Sequence, residues 1–349
     1  MKNKNIINNT LKKLASTLFF GIAIGMGLTG SLFSKESASP MKVVAISQIV
    51  EHQALDETYR GIVEELEASG YTPKKSLKLF YESAYGNPLT AAQIAQKYVS
   101  LKPDVMVGIG TIAAQSLVGA NKNTNIPIIF SSITDPVTAG IVANLDLPGG
   151  SVTGVTNWIK LEPQIEKFKQ ILPNLKRLGI IFNPGEGNSV ILVNRLKAVG
   201  KQMGIEVIES PATASVEVGM ATEHIANKVD AIFISNDNTA LSAFQAVVAA
   251  ANKSNIPVFV SDLDMVPYGA VAAFGPDQYA VGRQTGKMIV QILNGTSPTK
   301  IPVEFPQKSE FYINLDALKL LYLQVPESII KSANKLITKE KEAEGETSK

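Results

Sequence analysis

The sequence predicts an α/β protein of two similar Rossmann-like lobes with parallel sheets, and three observations carry that expectation. One supersecondary unit occurs twice, in residues 104–131 and 230–261. Each copy passes from an Asp into an apolar strand, Val105-Met106-Val107 in one and Ala231-Ile232-Phe233-Ile234 in the other. A polar turn, an Ala-bearing helix and a second strand entered through Asn-Ile-Pro follow in both. The strands are continuous apolar runs with many β-branched residues, the pattern of a parallel sheet covered on both faces. Finally, 349 residues at 45% hydrophobic content supply the core of two ordinary domains.

The elements follow in order. Lys2, Lys4, Lys12 and Lys13 precede an apolar run over 14–33, and a Ser-rich linker follows. Residues 1–40 therefore read as a signal peptide and linker, with an uncleaved anchor as the alternative. Residues 42–46 form a buried strand ending at Ser47 and Gln48, a helix occupies 55–69, and 77–81 is a second strand. Ala91, Ile94, Ala95 and Tyr98 lie at helical spacing and lead into the first copy of the unit. Residues 152–156 close the first half. The second half repeats the order, with strands at 177–182, 205–208 and 270–275 and helices after 189, at 217–228 and at 278–293. A late strand over 307–315 and one or two helices to 333 complete the fold, and the Lys- and Glu-rich end reads as a solvated tail.

Composition excludes several functions. The chain has no cysteine, so a disulfide framework, a thiol nucleophile, a thiolate metal site and a lipid-modified cysteine are all ruled out. Its two histidines are too few for a metal centre, and no metal or other cofactor is expected. A net charge of +2 leaves no basic footprint for nucleic acid. The Gly185 and Gly187 turn lacks the Lys of a phosphate loop.

Five separated stretches carry a resemblance. Thr153-Gly154-Val155-Thr156-Asn157-Trp158, Asn183-Pro184-Gly185-Glu186-Gly187-Asn188-Ser189, Asp237-Asn238-Thr239, Gly282-Arg283-Gln284-Thr285-Gly286 and Tyr312-Ile313-Asn314-Leu315 are similar to signature stretches of ABC importer solute-binding proteins of the tryptophan/tyrosine type. The resemblance spans about residues 41–335. It implies the type I periplasmic-binding-protein architecture, with three crossover strands joining discontinuous lobes. Lobe 1 is then 41–156 plus 276–296, lobe 2 is 157–275 plus 297–335, and the charged tail is 336–349. It also implies an aromatic amino acid as ligand and a membrane permease as partner. Relatives in Gram-positive bacteria are lipoproteins; without cysteine, this chain is expected to diffuse freely in a periplasm as a monomer.

In doubly wound sheets, ligands sit beyond the carboxyl ends of the strands. There the sequence offers Ser47, Gln48, His52, Thr111, Ser132, Thr134, Asp135, Asn157, Asn183, Asn188, Asn236, Asp237 and Thr239. An amino acid zwitterion would need a carboxylate for its ammonium, Asp237 or Asp135. It would need hydroxyls and helix-start amides for its carboxylate, at Thr111, Ser132, Thr134 and the helix after Gly110. Each of these residue types is equally an ordinary helix cap. Trp158, Tyr59, Tyr85 and Phe274 are candidates for apolar walls, or for core. Catalysis is not expected. The alternatives are a tethered ligand-sensing ectodomain and a hydrolase using Asp135 and Asp237.

Overall fold

The computed structural model describes residues 41–338. The signal-peptide reading and nearly all of the tail fall outside that range. The first half runs β1 (Lys42–Gln48), α1 (Gln53–Ala68), β2 (Leu77–Ser83), α2 (Pro88–Leu101), β3 (Val105–Ile109), α3 (Thr111–Ala120), β4 (Ile128–Ile133) and β5 (Val152–Thr156). These strands pair in parallel in the order β2-β1-β3-β4-β5. The second half runs α4 (Leu161–Ile171), β6 (Arg177–Phe182), α5 (Gly187–Met203), β7 (Glu206–Pro211), α6 (Val218–Ala226), β8 (Ala231–Ile234), α7 (Asn238–Ser242), α8 (Phe244–Lys253), β9 (Val258–Val260) and β10 (Ala272–Pro276). After α9 (Gln278–Leu293) come β11 (Ser309–Asn314), α10 (Leu315–Leu320), α11 (Glu327–Lys331) and β12 (Lys335–Ile337). The second sheet has the order β12-β11-β10-β9-β8-β6-β7.

The duplicated unit is visible in the topology. In each sheet the strand opening the half is flanked by the next strand on one side and by the repeated unit on the other. Asp104 and Asp230, which begin the two copies, do the same work. Asp104 Oδ2 accepts from Val43 N at 2.8 Å, and Asp230 Oδ2 from Arg177 N at 2.8 Å, each tying its unit to the first strand of its half.

Three passages link the sheets. The chain leaves the first sheet at the end of β5 and enters the second layer through α4. It returns through β10 into α9, which packs against α1, and goes back through residues 301–308 into β11. The last passage is anchored to β5, with Thr156 N donating to Glu304 O (2.8 Å) and Glu304 N to Gly154 O (2.9 Å).

Some elements differ from expectation. Leu161, Ile165, Phe168 and Ile171 mark one buried face of α4, a helix for which the sequence reading had no element. Phe168 stacks on Phe259 at 4.4 Å beneath the second sheet. The Ala-rich helix after Asp237 is two short helices broken at Ala243. β11 is antiparallel to β10, as a strand arriving from the opposite lobe requires, and β12 adds a short parallel edge extending to residue 337.

The contact between α1 and α9 depends on glycine. A Cβ at Gly282 would stand 2.1 Å from Thr58 O, and one at Gly61 would stand 2.2 Å from Tyr279 O. Neither backbone can retreat without moving its whole helix. Gly282→Ala is expected to destabilise the protein by about 2 kcal/mol or more, as overpacking does. Urea unfolding of the variant against the wild type measures this; an unchanged midpoint would contradict the close packing.

Candidate functional site

The carboxyl ends of the strands in both sheets converge on one tight cavity of about 20 Å³, room for about one water molecule. Its first-half wall carries His52, Ala54 and Leu55 beyond β1, Gly110 and Thr111 beyond β3, Ser132 and Thr134 at β4, and Asn157 beyond β5. The second-half wall carries Asn188 beyond β6, Asn236, Asn238 and Leu241 beyond β8, and Asp262 beyond β9. The two walls touch. His52 Nε2 and Asn238 Oδ1 are 3.2 Å apart, and Tyr268 Oη donates to Gln53 Oε1 at 3.1 Å.

The walls are chemically unlike. In the first half α3 starts at Gly110, which has no side chain with which to cap it. Its φ of 87° suits glycine, and a Cβ there would strike Ile49 at 2.5 Å. The first-turn amides of α3 therefore lack intrahelical partners and make an anion seat beside the hydroxyls of Thr111, Ser132 and Thr134. Ser132 holds φ 57° at the break in register between β4 and β5. Its backbone sits in the left-handed region that side chains rarely adopt, and strain of this kind collects at binding sites.

The second half has its helix start closed. Asp237 Oδ1 accepts from Ala240 N at 2.7 Å, capping α7, and Oδ2 accepts from Asn183 N at 2.6 Å and from Ser189 Oγ. Glu186 accepts from Asn238 N at 3.1 Å and from Thr239 N at 2.9 Å. What remains on this wall is a set of buried acceptors. Asp262 is 1% exposed; its Oδ1 accepts from Gln278 Nε2 at 3.0 Å, while Oδ2 has no partner. Asn188 Oδ1 and Asn236 Oδ1 are likewise buried without partners, as is His52 Nδ1 on the facing wall.

Gln278 holds the two halves in register. Its Nε2 also donates to Asn157 Oδ1 (3.1 Å), and its Oε1 accepts from Ser132 Oγ (3.1 Å) and Thr58 Oγ1 (3.3 Å). It is fully buried.

Of the residues expected at the site, His52, Thr111, Ser132, Thr134, Asn157, Asn188 and Asn236 line the cavity. The others do not. Ser47 is buried within β1, and Gln48 donates to Asp56 Oδ1 (2.7 Å) and Val50 O (2.9 Å). Asn183 donates to Thr239 Oγ1 (2.8 Å), and Thr239 Oγ1 in turn donates to Glu186 Oε1 (2.7 Å). Asp135 borders an adjoining space beside Gln115 and Gly187 and accepts from Thr138 N (3.0 Å) and Oγ1 (2.8 Å). Asp237 is the cap described above. Neither expected ammonium partner lines the central cavity: a helix start takes the Asp237 carboxylate and a turn takes that of Asp135. Neither carboxylate of the hydrolase alternative lines the central cavity. Asp262 and Gln278 were missed. The signal for Asp262 was present: Ser261-Asp262 closes the second copy of the unit as Ser131-Ser132 closes the first.

The proposed aromatic walls are absent from the cavity. Trp158 lies under the Arg195 guanidinium at 3.7 Å, Tyr59 packs on Tyr81 at 4.3 Å, and Phe274 meets Phe311 at 6.5 Å. Tyr85 is exposed.

A family model described as ABC transporter substrate binding protein matches residues 43–337. The chain belongs to the ABC transporter substrate-binding protein family. It is 34% identical to a tyrosine-binding protein of Clostridioides difficile, over 93% of this chain and 94% of that one. It is 34% identical to a Streptococcus pneumonia ABC domain solved in complex with L-Trp, with a TM-score of 0.81 over 85% of this chain and all of that one. A ligand-free, open substrate-binding protein with adhesive properties from Clostridium difficile is 32% identical, covers 86% of this chain with all of its own, and has a TM-score of 0.65. The architecture is that of the type I periplasmic-binding proteins.

Burial shapes the titration of this substrate-binding protein. It pushes Asp262 up to about 7 against the bond from Gln278, and it lowers His52 to about 4. A raised carboxylate makes the folded state the tighter proton binder from its ordinary value of 3.8 up to about 7, so stability falls as pH rises across that window. The depressed histidine acts oppositely between about 4 and 6.5. Asp262→Asn cannot ionise. Ligand-free D262N is therefore expected to melt above the wild type at pH 8, with the gap closing as pH falls toward 4. A gap independent of pH, read by calorimetry, would contradict this assignment.

Proposed function

We propose that this protein is the extracytoplasmic solute-binding component of an ABC importer, closing around one aromatic amino acid and presenting it to a membrane permease. The opposed chemistry of the two walls carries the reading. An uncapped helix start with hydroxyls on one side suits a carboxylate, and a half-satisfied buried Asp with amide oxygens on the other suits an ammonium. The zwitterion would then lie with its carboxylate toward Thr111, Ser132 and Thr134 and its ammonium toward Asp262. Burying either charge alone would be costly.

Leu55 and Leu241 offer apolar surface in the cavity, and Phe244, Met265 and Tyr268 border the space that continues from His52 and Leu241. The side chain would extend there. The reading is supported by the ligands named for the Clostridioides and Streptococcus relatives, and by the closer superposition on the L-Trp complex than on the open, ligand-free structure. The bonds between His52 and Asn238 and between Tyr268 and Gln53 would break as the lobes part, which makes closure a hinge motion about the three passages. Nothing in this role requires covalent chemistry. The protein would work in a periplasm, exported by its first 40 residues and without a lipid anchor, as a monomer.

Titration calorimetry of the mature chain against L-tyrosine, L-tryptophan, L-phenylalanine and myo-inositol tests the proposal. Saturable binding of at least one aromatic amino acid and none of myo-inositol is expected. Asp262→Asn should weaken that binding about 100-fold, the cost of leaving a buried charge unpaired. Binding of no amino acid would remove the assignment, and undiminished affinity in D262N would remove Asp262 as the ammonium partner.

A further inference from the structure

Glu186 is a buried carboxylate that does not line the cavity yet touches two residues that do. Its Oε2 accepts from Asn188 Nδ2 at 3.1 Å and from Asn238 Nδ2 at 2.6 Å. Asn188 Nδ2 also donates to Asn236 O at 2.9 Å. Both partners of the Asn188 amide nitrogen are pure acceptors, so the amide can stand only one way round, with Oδ1 left buried and without a partner. The Asn238 amide is oriented by the same carboxylate, which turns its Oδ1 to His52 Nε2 at 3.2 Å. That contact requires the proton on Nε2 and leaves Nδ1 a bare lone pair. Asn236 Nδ2 donates to Asn157 O at 3.3 Å, so its Oδ1 is left over in the same sense.

The unpartnered atoms on the cavity-lining residues Asp262, Asn236, Asn188 and His52 are thus all acceptors. A hydroxyl satisfies one of these and a carboxylate none. An ammonium with three N–H groups satisfies three. We infer that Glu186 is a positioning residue which, by fixing the Asn188 and Asn238 amides, makes the second-half wall acceptor-only and selects solutes carrying a primary ammonium. This rests on the amino acid reading and adds the origin of its selectivity. Asn188 and Asn236 were expected as amides able both to donate and to accept; Glu186 removes that freedom from Asn188.

The test compares binding of L-tyrosine or L-tryptophan, whichever the wild type binds better, with its deaminated analogue, desaminotyrosine or indolepropionate. Leaving acceptors unpaired should cost the analogue about 5- to 150-fold in the wild type. In Glu186→Gln the new amide can donate, the Asn188 amide can turn over, and the preference for the amine should shrink to less than about 5-fold. Melting without ligand verifies that E186Q folds. Should it not melt cooperatively, Glu186→Asp, which shortens the reach of the carboxylate, replaces it with the same two outcomes. Because Glu186 acts through Asn188 as well as Asn238, the losses in the double variant E186Q/N188A should be less than additive.

Unchanged discrimination in a folded Glu186 variant, or additive losses in the double variant, would overturn the inference while leaving the amino acid reading intact. Failure of the wild type to bind either amino acid would overturn both.

Discussion

A carboxylate taken out of water needs a partner for each oxygen, and Asp262 has been taken out of water with one oxygen matched. That shortfall orders the rest of the cleft. Gln278 meets one oxygen and spends its remaining capacity on Asn157, Ser132 and Thr58, tying both halves to the same amide. The other oxygen is buried without a partner, on a residue that lines the cavity together with Asn188 and Asn236, whose amide oxygens are unpartnered too. A protein optimised only for stability would have placed a leucine or an asparagine here. The cost of keeping the charge is what a cationic group on a solute can recover, and stability is commonly given up at sites of this kind.

The same logic explains why two copies of one unit do not make two equal walls. Each copy delivers a strand, a turn and a helix start to the cleft, but the helix starts are finished differently. Gly110 leaves the amides of α3 open, whereas Asp237 and Glu186 close α7 from two sides. A small change at one position of the turn therefore decides whether the helix end attracts an anion or is neutralised from within. The scaffold is repeated and its polarity is reversed. On the proposed reading, that reversal would let a molecule carrying an ammonium and a carboxylate on one carbon bridge the lobes.

Much of the fold was legible because parallel strands are written as apolar runs and the repeat at residues 104–131 and 230–261 confirmed each by the other. Helix α4 was overlooked although Leu161, Ile165, Phe168 and Ile171 kept helical spacing, since its polar face hid it between a crossover and a strand. The direction of β11 rests on the lobe from which it arrives, which is a tertiary fact. At the site, seven expected residues line the cavity because the strand-end rule is geometric. The expectation of an ammonium partner fell on Asp237 and Asp135 because Asp, Asn and Ser serve equally as caps and as ligand contacts, and one chain does not say which carboxylates are already spent. Asp237 and Asp135 are spent on helix and turn amides; Asp262 follows its strand with only a short turn behind it to consume its charge.

Ser132, held in a left-handed backbone conformation where β4 breaks register, sets one face of the cavity at the crossover side, with Gln278 and Asn157 beside it. If the carboxylate and the ammonium of a bound amino acid are fixed on opposite walls, this third surface leaves its tetrahedral carbon a single way to point its remaining large substituent. The mirror-image form would have to direct that substituent at the Ser132, Asn157 and Gln278 side. Handedness would then be read by a kink in a strand, without any contact to the side chain itself.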